Sequence, residues 1–307
     1  MSNKPNEISN YKLDHSFHKV HKEKVGVSDF GLDNTDRLIG DGFGLYSSAG
    51  LKPKIGPIKS EFFRIGFGVR GSVHIHCGLE SFRFSPGSIA FTFPGQIFSM
   101  QDKSIDFFAY YTLFTENFVD DSVSLKKVRN QFPFLNYSGT QCFALGKTQA
   151  QEIQNLILKI NEEIKNSAPD LKQIIQPYIH LILLQANRSY EQQNLQTPLA
   201  EKSNHTLLNA YRKLVSQHFI SKRKVSDYAD LMHITSNHLN KVIKHETGKT
   251  AHDLIEEMLL LEAKALVKHT EKSIAEIAYQ LDFSDPSHFN KFFKKLNGTT
   301  PLKYRAF

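Results

Sequence analysis

The spacing of apolar residues along this chain changes character twice. From Asp41 to Phe114 they fall in short runs broken by glycine and proline, the mark of strands and turns. The runs predict strands over Phe62–Val69, Ser72–Cys77, Ser81–Phe84, Ser88–Phe93, Gln96–Met100 and Asp106–Phe114. In GSVHIHCG, Val73, Ile75 and Cys77 alternate with Ser72, His74 and His76, the two-residue period of a half-buried strand. The Pro-Gly pairs of SPGS (Ser85–Ser88) and FPGQ (Phe93–Gln96) suit type II turns. Six or more short strands this close together imply an antiparallel barrel or sandwich.

Beyond Gln149 the period lengthens to that of helices. Gln149–Asn166 puts Ile153, Leu156, Ile157, Ile160 and Ile164 on one stripe, with Gln, Asn, Glu and Lys opposite. Asp170 stands where it would N-cap a second helix, and Pro177 inside that helix predicts a kink or a break. Such stripes fit either packing on the strands or pairing with a second copy as a coiled coil. Glu191–Asn204 is polar, contains a proline and lacks a period, which reads as a linker.

The last third is helical and internally repeated. VSDYADLMHITSNHLNKVIKHETGKT and SIAEIAYQLDFSDPSHFNKFFKKLNGTTP share one design, fifty positions apart from His238 to His288. Each is a short helix, a polar turn, and a second helix ending at a glycine, Gly248 or Gly298, suited to a left-handed cap. A leading helix over Thr206–Phe219 precedes them, and a long helix over Ala251–His269 separates them. Val225, Tyr228, Ala229 and Leu231 are expected to bury the first scaffold helix, and Ile274, Ile277, Ala278 and Leu281 the second. Thr235 or Ser236 caps the first reading helix, while Ser273 with Glu276 forms a capping box before the second scaffold helix. Turning Leu239, Val242 and Ile243 inward leaves Asn237, His238, Asn240, Lys241 and Lys244 outside. Turning Phe289, Phe292 and Phe293 inward leaves Ser287, His288, Asn290, Lys291, Lys294 and Lys295 outside. These residue types read DNA: Asn pairs with an adenine edge, and Lys donates to guanine acceptors or phosphate.

Charge supports that direction. From Asn204 to Phe307 there are sixteen Lys and Arg against eleven Asp and Glu, leaving +2 of the formal +7 for the first 203 residues. The basic third therefore faces a polyanion or presents a solvated basic surface. Two cysteines, Cys77 and Cys142, make neither a metal spacing nor a disulfide framework and are expected as packed thiols. The leading MSNKPNEISNYKLDHSFHKVHKEK lacks the apolar core of a signal peptide, and no run is long enough to span a membrane. A cytoplasmic chain without membrane partners is expected.

The run HETGKT…LLLEAKALVKHTEKSIAEIAYQLDFSDPSHFNKFFKKLNGTTPLKYR closely resembles the DNA-binding domain of AraC/XylS regulators, over about the last hundred residues. The resemblance implies a seven-helix domain whose two recognition helices enter successive major grooves. By motif position it places base-edge contacts at Asn237, Asn240 and Lys241, then Ser287, Asn290 and Lys291. Two departures stand out: the family often has Arg where Lys241 and Lys291 stand, and the long helix reads EEMLLLEAK where Arg is frequent. The segment SPGSIAFTFPGQ, with its flanking strands, resembles the small cupin barrel found ahead of such domains. It implies a domain that senses a ligand or dimerises.

The fold expected is thus an α+β multidomain chain: an N-terminal cupin-like β-barrel with flanking helices, then an all-α domain with two helix-turn-helix motifs. Its parts are a polar segment 1–25, barrel 26–148, helical segment 149–190, linker 191–204 and DNA-binding domain 205–307. The function expected is a sequence-specific transcription regulator and activator that binds double-stranded promoter or operator DNA. RNA polymerase, a small-molecule effector and a second copy of the chain are its further possible partners. Phe67, His74, His76, Phe91 and Phe93 are candidates to line an effector pocket, although strand aromatics also serve simply as core. His74 and His76 share a face, but the strand that would supply a third ligand, IFSM, has no His. No metal site, cofactor or catalytic residue is therefore expected. The rival reading, a small-molecule or metal-dependent cupin enzyme with a helical accessory domain, requires such groups in the barrel.

Overall fold

A computed structural model describes residues 13, 21–23, 27–34, 38–40, 42–119, 131–137, 139–167, 169–195 and 204–306. Nine strands come first: β1 Phe43–Ser47, β2 Ile55–Lys59, β3 Phe63–Arg70, β4 Val73–Cys77, β5 Glu80–Phe84, β6 Ser88–Thr92, β7 Ile97–Gln101, β8 Phe108–Phe114 and β9 Cys142–Ala144. They form two antiparallel sheets, ordered β1-β8-β3-β6-β9 and β2-β7-β4-β5. Among the described residues the sheets share no ladder, so of the barrel or sandwich expected the strands make an open sandwich. β1, β2 and β9 lie outside the predicted strands. Gly44 interrupts the first, Gly56 and Pro57 the second, and the third has only three residues.

Strand β3 is covered on both faces. Its Phe63, Ile65 and Phe67 are buried on the same side as Phe91, which stacks on Phe134, 4.2 Å between ring centroids; Phe134 in turn meets Tyr190. Arg64 and Gly66 face the other sheet. Gly68 is required by close approach, since a Cβ there would lie 2.2 Å from the Ser85 carbonyl oxygen.

After a short helix α1 (Glu116–Val119), helices α2 (Lys147–Asn166) and α3 (Leu171–Gln192) pack together and join the sandwich core. Ile153, Ile157, Ile160 and Ile164 of α2 are buried there with Ile175, Ile179 and Ile182 of α3, so these stripes pack on the strands of their own chain. Asn161 reaches out of α2 to accept from the Gly31 amide at 2.6 Å. Of the kink or break expected at Pro177, the break does not occur: α3 is continuous across it, at the cost of one helical hydrogen bond. Asp170 is at the N-cap position but makes no side-chain cap bond. Helix α3 also reaches into the expected linker, whose residues 196–203 lie outside the described residues.

Most of the expected polar segment 1–25 also lies outside the described residues. Leu13, His21 and Lys22 are nonetheless buried, and Lys22 pairs with the buried Asp33 while donating to the carbonyls of Ser47 (3.1 Å) and Ala49 (2.9 Å). This part of the leader is therefore built into the sandwich. Cys77 and Cys142 are free thiols; burial pushes both upward, Cys142 to about 12. No helix among the described residues is long and apolar enough to cross a membrane.

Seven helices follow: α4 Asn204–His218, α5 Val225–Leu231, α6 Ser236–Thr247, α7 Ala251–His269, α8 Ile274–Gln280, α9 Pro286–Asn297 and α10 Pro301–Ala306. They share a second apolar cluster centred on Tyr211, Tyr228, Leu239, Met258, Leu266, Phe289 and Phe293. Ile97 of β7 belongs to this cluster too. Helix α7 lies against β2 and β7, with Lys59 Nζ 3.4 Å from the fully buried Glu262, and Arg212 of α4 pairs with Glu80 at 2.6 Å.

A candidate nucleic-acid interface on two matched helices

The two helix-turn-helix units are built by the same local chemistry. Helix α5 ends in a turn where His233 takes a left-handed backbone (φ 54°), and the Ile234 amide donates to the Ala229 carbonyl at 3.0 Å. Helix α8 ends the same way, with Asp282 at φ 58° and the Phe283 amide donating to Ala278 at 3.0 Å. These bonds use helix-terminal carbonyls that would otherwise be orphaned, and they pull Ile234 and Phe283 onto the core. Leu231 does not bury its helix as expected. It is 43% exposed, and Met232 packs against the cluster instead.

The reading helices are then capped. Thr235 Oγ1 accepts from the His238 amide at 3.2 Å. Asp285 accepts from the Ser287 and His288 amides at 2.7 and 3.1 Å, and those bonds hold its carboxyl below the usual range. Pro286 fills the first helical position, where a missing N–H costs nothing. Ser273 and Glu276 form the expected capping box before α8. Gly248 and Gly298 close α6 and α9 at φ 73° and 78°.

Inward go Leu239, Val242 and Ile243 of α6 and Phe289 and Phe293 of α9, with Phe292 half-buried. Outward and exposed are Asn237, His238, Lys241 and Lys244, and their counterparts Ser287, His288, Lys291, Lys294 and Lys295. Among the described residues, Lys241, Lys244, Lys291 and Lys294 form no ion pair, leaving these cations open to an anion. His288 is tied locally, its Nδ1 2.8 Å from Ser284 Oγ and 3.2 Å from Asp285. Lys295 lies 3.8 Å from Glu256 of α7.

Asn240 and Asn290 differ from the rest of the set. Both are half-buried, and both side chains are engaged. Asn240 Oδ1 accepts from the Ala251 amide at 2.9 Å, at the start of α7. Asn290 Nδ2 donates to its own helix at Pro286, 2.8 Å away. The start of α7 is itself acidic. His252, Asp253 and Glu256 bring ligand atoms within 4.8 Å of one another there, but Asp253 accepts from the Thr250 amide at 2.8 Å as part of a capping box.

The five pocket candidates fall elsewhere. The sandwich cavity is lined by neither Phe67, Phe91 and Phe93 nor His74 and His76. The three aromatics are core, Phe93 edge-on to Tyr137. His74 is half-exposed, 3.6 Å from Asp102, and the His76 ring lies 3.2 Å from Gln101 Nε2, with burial lowering its pKa. The sequence pattern missed Arg64 and Tyr111, which do line the cavity. Arg64 falls at the polar phase of an alternating strand, which ordinarily means solvent. The glycines at 66 and 68 were the available signal that this phase is enclosed.

The class these features define is a two-domain chain carrying tandem helix-turn-helix units behind a β-sandwich. Residues 228–306 match the family model described as a helix-turn-helix domain. The HTH-type transcriptional activator RhaS of Escherichia coli (strain SMS-3-5 / SECEC) is 26% identical over 156 residues, covering 50% of this chain and 54% of the relative. The chain thus spans about half the length of the curated relatives it matches. Among solved structures, ToxT from Vibrio cholerae O395 is 13% identical, covering 86% of this chain and 96% of that one at a TM-score of 0.42. The C-terminal domain of AraT from Geobacillus stearothermophilus is 27% identical, covering 33% and 84% at a TM-score of 0.32.

Proposed function

We propose that the protein is a sequence-specific DNA-binding transcription regulator, acting as an activator in the cytoplasm. Helices α6 and α9 enter successive major grooves, and the sandwich serves as a regulatory domain that takes a small molecule or pairs two copies. RNA polymerase is the further partner this reading requires. One observation carries it: two units that share a left-handed residue after the scaffold helix, a side-chain-capped reading helix and a closing glycine present exposed lysines in matched places, Lys241 with Lys291 and Lys244 with Lys294. A solvated surface has no need of that correspondence, whereas a duplex with repeating grooves does. The family of the carboxy-terminal domain and the likeness to a named activator point the same way.

Within this reading the base-edge set becomes Asn237, His238 and Lys241 on α6, and Ser287, His288 and Lys291 on α9. Lys244, Lys294 and Lys295, in the last turns, sit where phosphates would flank the groove. Asn240 and Asn290 act chiefly as supports. Genomic fragments selected by the purified protein supply a cognate site. The double variant Lys241→Ala, Lys291→Ala is expected to lose about thirtyfold or more in gel-shift affinity for it, at about 1–3 kcal/mol per contact, with its circular dichroism unchanged. Retained affinity would remove these helices from the interface.

A further inference from the structure

The space between the two sheets is a cavity of about 70 Å³. Its wall is mostly apolar, with Ile58 of β2, Val73 and Ile75 of β4 and Met100 of β7 contributing. One cation interrupts that wall. Arg64 projects from β3 into the space; its Nη1 donates to Thr92 Oγ1 at 2.9 Å, and its guanidinium lies 4.1 Å from the Phe98 ring centroid and 5.4 Å from that of Phe62. Among the described residues no carboxylate pairs with it. Arg64 is half-buried, and desolvation lowers its pKa to about 10, so it remains charged at neutral pH. The Tyr111 hydroxyl lines the same cavity, is buried, and has no hydrogen-bond partner among the described residues. In the β3–β8 ladder Tyr111 lies opposite Gly66, one diagonal step from Arg64 on the same face of the sheet.

A partly desolvated cation facing an apolar space is costly unless an anion meets it, and a buried hydroxyl is costly unless it is bonded. Arg64 has its fork of donors largely unused, and Tyr111 adds an O–H beside it. We propose that this cavity is a binding site for a small monocarboxylate, its two oxygens held by Arg64 and Tyr111 and its short apolar body against Ile58, Ile75 and Met100. The volume is less than half of the roughly 150 Å³ apolar cavity that accommodates benzene, which selects acids of about propionate to butyrate size over sugars and aromatic acids. The site deepens the reading of the sandwich as a small-molecule sensor and rests on that reading only; it is independent of how the reading helices meet DNA.

The test is calorimetric titration and thermal shift on the full chain with acetate, propionate, butyrate, hexanoate and the neutral butyramide. Saturable binding is expected with its optimum at propionate or butyrate and none with butyramide. Arg64→Met is expected to abolish binding while the ligand-free protein melts no lower than wild type, because the variant removes an uncompensated charge. Tyr111→Phe is expected to weaken binding about tenfold, the loss of one charge-assisted hydrogen bond. Gly66→Ala, whose Cβ would stand 3.5 Å from Phe84 in ordinary contact, narrows the cavity and is expected to shift the optimum to a shorter acid. Absence of carboxylate binding, equal binding of butyramide, or undiminished binding by Arg64→Met would overturn the proposal. Should Arg64→Met fail to fold, the acid-against-amide comparison on wild type still decides. A parallel gel shift keeps the two readings apart: failed carboxylate binding with intact DNA binding removes the site and leaves the regulator.

Discussion

Asn240 and Asn290 occupy corresponding positions in the two units, yet one neighbouring residue separates their roles. Asn240 accepts from the Ala251 amide because Ala251, first in α7, has an N–H to give. Fifty positions on, the matching residue is Pro301, which has none, so Asn290 turns its amide back onto Pro286. The first bond ties the end of α6 to the start of α7; the second stays within one helix. Asn240→Ala is therefore expected to cost about 1 kcal/mol of stability, in the range of a lost helix cap, and Asn290→Ala less than about 0.5. Urea denaturation of the full-length variants measures both, and equal costs would show that the α6–α7 bond contributes nothing. If the proposed interface holds, Lys241 and Lys291 limit discrimination, because lysine lacks the bidentate fork of arginine. With both asparagines engaged, that interface would draw more of its specificity from DNA shape.

Each helix-turn-helix unit is a short path of chain whose direction is set at two left-handed residues. The first, His233 or Asp282, redirects the chain between scaffold and reading helix, and the second, Gly248 or Gly298, ends the reading helix. At both glycines an added Cβ would meet nothing within 4 Å, so a substitution there is penalised by backbone conformation alone. Gly248→Ala and Gly298→Ala are accordingly expected to destabilise by about 1 kcal/mol each, nearly equally, without changing the salt dependence of DNA binding. A denaturation series with a matched gel-shift salt titration checks this. A cost well above that value at either site would mean that the cap also holds a tertiary contact. The second unit has one extra turn residue, Ser284, which brings Asp285 rather than a threonine to the N-cap and lets Ser284 bond His288. The two helices thus share a frame but differ at their tips, and half-sites read by them would differ too.

At the scale of the whole molecule, α7 joins everything. It spaces the two reading units, and its other side lies against β2 and β7, which also supply Ile58 and Phe98 to the cavity wall. The contact contains ionisable groups. His269, near Pro57 and Lys52, is pushed down to about 4, chiefly by burial. Glu262 is fully buried opposite Lys59, and burial outweighs the lysine's attraction, raising its pKa above the ordinary carboxylate value. A carboxyl that holds its proton more tightly folded than unfolded contributes stability at low pH and loses it as pH climbs through the unfolded and then the folded pKa. At neutral pH the Glu262 carboxyl is thus a net cost. Glu262→Gln is expected to raise the melting midpoint by roughly 2–4 °C at pH 7.5, with the gain vanishing toward pH 4. A lowered midpoint at pH 7.5 would mean that the pairing with Lys59 prevails.

What the sequence determined by itself is everything carried by residues within about four positions of one another. The stripe of α2, the capping box of Ser273 and Glu276, the glycine closures at 248 and 298 and the inward triad of α6 are of this kind. Helical hydrogen bonds, caps and turns are local, so the chain states them directly. Tertiary structure decided what depends on partners far along the chain. It covered both faces of β3, so that Arg64 faces the cavity between the sheets, and it placed Phe67, Phe91 and Phe93 in the core rather than around a pocket. It also left Leu231 exposed, built Lys22 into a buried pair, kept α3 whole across Pro177, and gave Asn240 a partner in another helix. An alternating strand specifies two faces but not what lies against each. That is settled only when non-local segments close on it, because burial, and with it the cost of a charge, belongs to the assembled neighbours and not to the residue.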